Sequence, residues 1–231
     1  MSSALAGYAE DAPALIPRWF AIDPADVHAP VLHLFPTAPA RVLDIGTGVG
    51  RDAAWFAERG HTVLAVEPVD ALREDGMTAY AAFSIEWLND RLPDLTTLMA
   101  RGETFDLVML TAVWAHLNED ERRIAMANIG KLVAKGGRLI MSIRRGWTPP
   151  NRPVFEATAL ETVDLAEAAA TAPRLVHTLQ PTHQQARPIL LQHRGRVQAA
   201  EHSAAVRSGV RSNHLGATRV HALPRSCRQR M

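Results

Sequence analysis

"RVLDIGTGVGRDAAWFAERGHTVLAVEP", residues 41–68, decides how this chain folds. A short apolar run ends at Asp44, and Gly46, Gly48 and Gly50 follow at every second position. An amphipathic stretch stopped by Gly60 leads to a second apolar run that ends at Glu67. Short β-branched runs alternating with helix-period segments predict strand, turn, helix and strand, which is the opening of a parallel sheet. Glycines in the turn permit unusual dihedrals and let a ligand lie against bare backbone.

The alternation continues downstream. "PVDALREDGMTAYA" reads as a second helix, "FSIEWL" as a third strand, "LPDLTTLMARG" as a short helix and "FDLVMLTAV" as a fourth strand. "NEDERRIAMANIGKLVAK" is a helix that Asn118 caps, with acids in its first turn and Gly136 and Gly137 as its stop. "GRLIMSI" is the fifth strand, and "RLVHTLQ" and "RPILLQH" are candidates for the last two. The expected fold class is α/β: a doubly wound, mostly parallel sheet with helices on both faces, Rossmann-like, with atypical final strands. Residues 1–40 are expected to be a helical cap, 41–193 the main domain and 194–231 a basic tail.

Composition narrows the function classes. The chain has 231 residues, of which 47% are hydrophobic and 21% charged, the balance of a soluble globular protein. No apolar run reaches the roughly 18 residues that span a bilayer, and the N-terminus lacks the basic start and apolar core of a secretory signal. A cytoplasmic location and no membrane partner are therefore expected. Cys227 is the single cysteine, which excludes an intrachain disulfide and a cysteine-based metal site. Charge is unevenly placed: residues 1–173 hold 15 basic and 23 acidic side chains, while residues 174–231 hold 10 arginines and one acid, Glu201.

The glycine turn suits a nucleotide, yet its spacing is not the G-x-G-x-x-G of dinucleotide sites, since the third glycine comes one residue early. Asp44 at the end of the first strand would repel a pyrophosphate but suit an ammonium or sulfonium group. Glu67, ending the second strand, is placed to accept hydrogen bonds from both hydroxyls of a ribose. The ligand indicated is a nucleoside that is cationic rather than phosphorylated.

On these residues the chain resembles the class I S-adenosylmethionine (SAM)-dependent methyltransferases. "VLDIGTGVG" matches that family's first motif and "AVEP" its ribose-binding acid. "WLNDRLPDL" is similar to its adenine-contacting segment, "FDLVMLTAVWAHL" to its fourth-strand motif, and "LVAKGGRLIMSIRRG" to its turn into the fifth strand. The set resembles a bacterial subgroup of small methyltransferases whose substrates are mostly unassigned. The resemblance implies S-adenosyl-L-methionine as cofactor, with Asp44, Gly46, Thr47, Gly48 and Gly50 around its methionine part. It further implies that Arg51 and Asp52 orient the cofactor's amino-acid group, that Glu67 holds the ribose and that Asp90 contacts the adenine amino group. Leu88 and Asn89 would lie beside the base, and Thr111 and Ala112 would line the methyl-transfer pocket.

Several residues admit a functional and a plain structural reading. His116 is the candidate catalytic base beside the pocket, or a structural residue between the fourth strand and the next helix. Trp114 is a candidate substrate contact or a core residue. Arg144, Arg145 and Arg152 surround the loop after the fifth strand, where a guanidinium pair would suit an anionic acceptor, or a solvated basic loop would look the same. Tyr8, Trp19 and Phe20 are candidates for a lid helix over the acceptor, or aromatics at helical spacing that serve only packing.

The tail from about Arg194 is read as an altered C-terminus, because this chain has no Phe, Trp or Tyr after Phe155 to build the usual final strands. No aromatic interleaves its arginines to stack on bases, so nucleic acid is not expected as a partner. The function expected is methyl transfer from S-adenosyl-L-methionine to a small-molecule acceptor, with no metal. The alternative is an inactive SAM-sensing protein whose basic tail contacts nucleic acid.

Overall fold

The computed structural model describes residues 2–144, 148–169, 177–178 and 187–192. Arg145 and the basic tail from Arg194 therefore lie outside the described residues. The strands are β1 (Arg41–Ile45), β2 (Thr62–Val66), β3 (Ile85–Leu88), β4 (Phe105–Thr111), β5 (Val133–Ile143), β6 (His177–Thr178) and β7 (Arg187–Gln192). They form one seven-stranded sheet in the order β3-β2-β1-β4-β5-β7-β6. β1 to β5 run parallel, and β7 pairs antiparallel with both β5 and β6. Both segments expected to supply the last strands do so, although β6 spans only two residues.

The helices are α1 (Ser2–Phe20), α2 (Pro24–His28), α3 (Arg51–Glu58), α4 (Asp70–Ala79), α5 (Thr96–Arg101), α6 (Glu119–Leu132) and α7 (Ala159–Ala168). Side chains alternate across a strand, and the two faces of this sheet separate accordingly. Leu43, Ile45, Leu64, Val66, Val108 and Leu110 pack with Met126 and Ile129 of α6. Val42, Val63, Ala65, Leu107 and Met109 pack with Ala53 and Phe56 of α3. Strands covered on both faces read as nearly continuous apolar runs, which is why β1 and β2 are buried at every position after the first.

Two local features depart from expectation. α6 ends at Leu132, four residues before Gly136, because Val133 already pairs with Phe105 at the start of β5. The pairing then skips to Leu107 against Arg138, so the glycine turn is an irregularity within the strand rather than the helix stop. A Cβ at Gly137 would fall 2.9 Å from the carbonyl oxygens of Ala134 and Phe105, so this close backbone approach requires glycine. α1 also runs on through Pro13 and Pro17, residues that ordinarily interrupt a helix.

Neighbouring β1 and β4 feed crossovers in opposite directions, β1 toward β2 and β4 toward β5. Open α/β sheets bind ligands at such a switch point, beyond the carboxyl ends of the strands. α1 closes that crevice from above: its Tyr8, Ile16, Trp19 and Phe20 pack with Val49 of the glycine turn and Leu72 of α4.

Candidate active site

A cavity of about 240 Å³ opens where β1, β2 and β4 end. Gly46, Thr47 and Gly48 form its floor, Glu67 one wall, Thr111, Ala112 and Val113 another, and Tyr8 and Trp19 of α1 its roof. Gly48 has φ +60°, and a Cβ there would meet the Trp19 ring at 2.9 Å. The left-handed conformation and the aromatic roof both require glycine at this position.

Glu67 is 4% exposed. Its Oε2 accepts from the Gly48 N–H and its Oε1 from the Val69 N–H, each at 2.8 Å. Burial nonetheless pushes its carboxyl up to about 7, outweighing those two hydrogen bonds and the Arg73 charge. A carboxylate has about four lone-pair sites, so Glu67 keeps two with which to accept a pair of hydroxyls.

Asp44 and Asp52 form a second acidic centre. Thr47 Oγ1 donates to Asp44 Oδ2 at 2.5 Å. Asp52 accepts from His28 Nε2 at 2.8 Å through Oδ2 and from Arg51 Nε at 2.8 Å through Oδ1. Burial raises the Asp44 carboxyl above the usual range, and the Asp52 charge raises it further. Burial acts on Asp52 in the same sense, but His28 and Arg51 override it and hold that carboxyl low. One negative charge is thus fixed on Asp52, while Asp44 is primed to ionise when a cation arrives.

The opposite end of the cavity holds His116, Tyr8 and Arg144. His116 Nδ1 lies 2.9 Å from the Pro153 carbonyl, which only accepts, so Nδ1 carries the proton. Nε2 of the neutral ring is then an acceptor, and the Tyr8 hydroxyl donates to it at 2.8 Å. Burial lowers the proton affinity of the imidazole, and the charges of Arg144 and Arg152 lower it further, against the Pro153 contact. Burial raises the Tyr8 hydroxyl pKa despite the same two arginines, so Tyr8 stays protonated. Ala112, beside this pair, has φ +61°, a strained conformation for a residue with a side chain. Ser142 holds it there, accepting from the Ala112 N–H through Oγ at 2.9 Å.

Of the residues singled out in the sequence, the cavity gathers Tyr8, Trp19, Asp44, Gly46, Thr47, Gly48, Arg51, Asp52, Glu67, Thr111, Ala112, His116 and Arg144. The others lie elsewhere. Gly50 caps α3 with φ +74°, and a Cβ on it would meet Trp87 at 2.2 Å. Asp90 accepts from the Arg91 and Leu98 N–H groups, tying down the turn before α5, and Asn89 Nδ2 donates to Asp70 at 3.4 Å. Trp114 belongs to the core rather than to the acceptor: it is fully buried and its indole N–H donates to Thr162. Arg152 supports the site from behind, pairing with Asp11 at 3.0 Å and lying 5.1 Å from the centre of the Tyr8 ring. Sequence reasoning missed His28, whose only signal was its place in a short helix that Asp23 caps. It placed Tyr8 in a lid without foreseeing the bond to His116.

A family model for a methyltransferase domain matches residues 42–137. The sheet order and this match make residues 42–137 similar to a methyltransferase domain. Glycine N-methyltransferase of Mus musculus is 28% identical over 157 residues, covering 59% of this chain and 53% of that protein. An uncharacterized methyltransferase of Mycobacterium tuberculosis is 32% identical over 117 residues, covering 50% of this chain and 57% of that one. The chain thus spans a little over half the length of these curated relatives. Among solved structures, 1,6-didemethyltoxoflavin-N1-methyltransferase of Burkholderia thailandensis, which holds 1,6-didemethyltoxoflavin and S-adenosylhomocysteine, shares the fold with a TM-score of 0.65. Identity is 22%, over 83% of this chain and 88% of that one. A TehB-like SAM-dependent methyltransferase of Corynebacterium glutamicum gives 0.59 at 18% identity, over 84% of this chain and 100% of that one.

The donor set of this cavity fits S-adenosyl-L-methionine. A buried acid with spare acceptor capacity suits a ribose, and a second acidic centre beside bare glycine backbone suits an ammonium and a sulfonium. Among the described residues no cluster of His, Cys, Asp or Glu could hold a metal ion, and no helix is long and apolar enough to cross a membrane.

Proposed function

We propose that this chain transfers a methyl group from S-adenosyl-L-methionine to a small-molecule acceptor whose proton leaves through Tyr8 and His116. The observation that carries this reading is one cavity with acids at one end and a neutral, tautomer-fixed histidine at the other. When bound, the cofactor supplies an electrophilic methyl carbon, whose bond to sulfur breaks, with its electron pair kept by sulfur, as the acceptor's lone pair bonds to carbon.

The chain's own residues do the rest. Glu67 accepts from the ribose hydroxyls, and Asp44 and Asp52 offset the positive charges of the cofactor's methionine part. The acceptor gives its proton to the Tyr8 oxygen as the Tyr8 proton passes to His116 Nε2, and the Pro153 carbonyl steadies the resulting imidazolium through Nδ1–H. Trp19 and the rest of α1 exclude water, which favours alignment of acceptor and methyl group, a large source of acceleration in bimolecular transfers.

Calorimetric titration with S-adenosylhomocysteine tests the reading, with Gly48→Val as the control. Saturable binding that the substitution abolishes is the expected result, and no binding by folded protein would overturn it. Binding without transfer to any acceptor would favour the sensing alternative.

A further inference from the structure

The charges lining the cavity do not balance at its acceptor end. Each acid of the cavity has partners and sits toward the cofactor end: Glu67 takes two backbone N–H groups, Asp44 takes Thr47, and Asp52 takes His28 and Arg51. Arg51 is accounted for by Asp52 at 2.7 Å. Arg152 is turned to Asp11 at 3.0 Å. Arg144, which follows the last residue of β5 and lines the cavity half-buried beside Tyr8 and His116, has no acid or hydrogen-bond partner among the described residues.

A guanidinium held partly out of water with no counter-charge is costly unless a ligand supplies one. Its charge already bears on its surroundings, since it lowers the proton affinity of both Tyr8 and His116. Of the three arginines expected around this loop, Arg152 holds α1 and Arg144 faces the cavity.

We infer that the acceptor is a small organic carboxylate whose charge pairs with Arg144 while its nucleophilic N–H or O–H turns to Tyr8. The inference rests on the methyltransferase reading. It sets a polarity for the acceptor, with an anionic anchor at the end of β5 and the reacting atom between Tyr8 and the glycine turn. The rival anion for Arg144 is the carboxylate of the cofactor itself.

Binding to the full chain saturated with S-adenosylhomocysteine tests this without knowing the acceptor. Benzoate and acetate are titrated against benzamide and acetamide, neutral partners of nearly the same shape, by protein NMR. The expected result is saturable binding of at least one acid, at least tenfold tighter than its amide. That preference should be lost in Arg144→Met and partly kept in Arg144→Lys, with S-adenosylhomocysteine affinity unchanged within twofold in both variants. Equal binding of acids and amides, or no acid bound more tightly than its amide, would overturn the inference while leaving the cofactor site standing. A large loss of S-adenosylhomocysteine affinity in Arg144→Met would overturn it by assigning Arg144 to the cofactor's carboxylate. Failure of the wild-type chain to bind S-adenosylhomocysteine would instead sink the methyltransferase reading beneath it.

Discussion

The Tyr8 hydroxyl reaches His116 Nε2 at 2.8 Å across 108 residues of chain, joining the first helix to the turn that follows β4. The ring normals of the pair are nearly perpendicular, at 86°, so the bond lies at the imidazole edge, where the Nε2 lone pair points.

A proton path through this pair predicts a pH signature. Burial and two nearby arginines hold the His116 pKa below 6.5, so the ring is neutral at pH 7 and ready to accept a proton. Transfer should therefore stay level through neutral pH and fall only below pH 6.5, as the ring charges. Tyr8→Phe should lower kcat by about 10²-fold, the low end for a positioned acid–base group, and leave S-adenosylhomocysteine affinity unchanged. His116→Gln should remove the acidic limb altogether. A Tyr8→Phe variant with wild-type kcat would exclude the relay.

The Glu67 carboxyl, pushed up to about 7, predicts that folding and cofactor binding respond to pH in opposite senses. Between its ordinary 4.5 and about 7 the folded apo chain binds more protons at Glu67 than the unfolded chain does. This group therefore makes the apo protein less stable as pH rises through that window. A ribose needs the ionised acid, so S-adenosylhomocysteine should bind more tightly at pH 8 than at pH 6 and release protons at pH 7. Calorimetry in buffers of different ionisation enthalpy reads that release directly. Glu67→Gln should weaken binding about 10- to 100-fold, the loss of one charge-assisted hydrogen bond of roughly 1.5–3 kcal/mol, and flatten its pH dependence.

Gly7 tests the docking of α1. In an open helix Gly→Ala would add about 1 kcal/mol of stability. Here the new Cβ would fall 2.0 Å from the Asn151 carbonyl oxygen. Gly7→Ala should therefore loosen α1, exposing residues 1–22 to limited proteolysis while far-ultraviolet circular dichroism still reports the sheet. Protection equal to wild type would show that the contact does not govern the helix.

Arg122 separates support from chemistry. It is buried, donates to the Leu117 carbonyl at 2.6 Å and the Glu156 carbonyl at 3.2 Å, and pairs with Glu161 at 2.7 Å. It thereby fixes the strand of chain that presents Pro153 to His116. Arg122→Met should cost about 3 kcal/mol of stability, as breaking a buried ion pair does, read as a lower Tm. S-adenosylhomocysteine affinity should hold, because none of these contacts touches the cofactor end.

The glycine turn and the acids around it were legible as one cluster because local rules specify it. Asp44, the three glycines and Glu67 lie within 24 consecutive residues, and strand periodicity alone puts both acids at the same edge of the sheet. The acceptor half was not, since Tyr8, His116, Pro153 and Arg144 meet only through long-range packing that no periodicity encodes. Asp90 shows the converse. Its position suggested a ligand contact, but it is not among the residues lining the cavity and accepts from the Arg91 and Leu98 N–H groups. Trp114 likewise could be placed only once Thr162 of α7 was seen to satisfy its indole. The early end of α6 was hidden because a strand pairing with Phe105 competes there with helix propensity.

The roof over the cavity belongs to a helix that contributes no strand to the sheet and no side chain to the two main cores. The two ends of the cavity are thus written in different parts of the gene: codons 44–67 carry the glycine turn and its acids, and codons 4–22 carry the roof, Tyr8 included. Variation at Ala4, Leu5 and Ile22, which line the cavity without a part in the Tyr8–His116 bond or the Gly7 contact, would reshape the chamber and leave the sheet intact, so a library confined to those positions is the shortest route to a new acceptor.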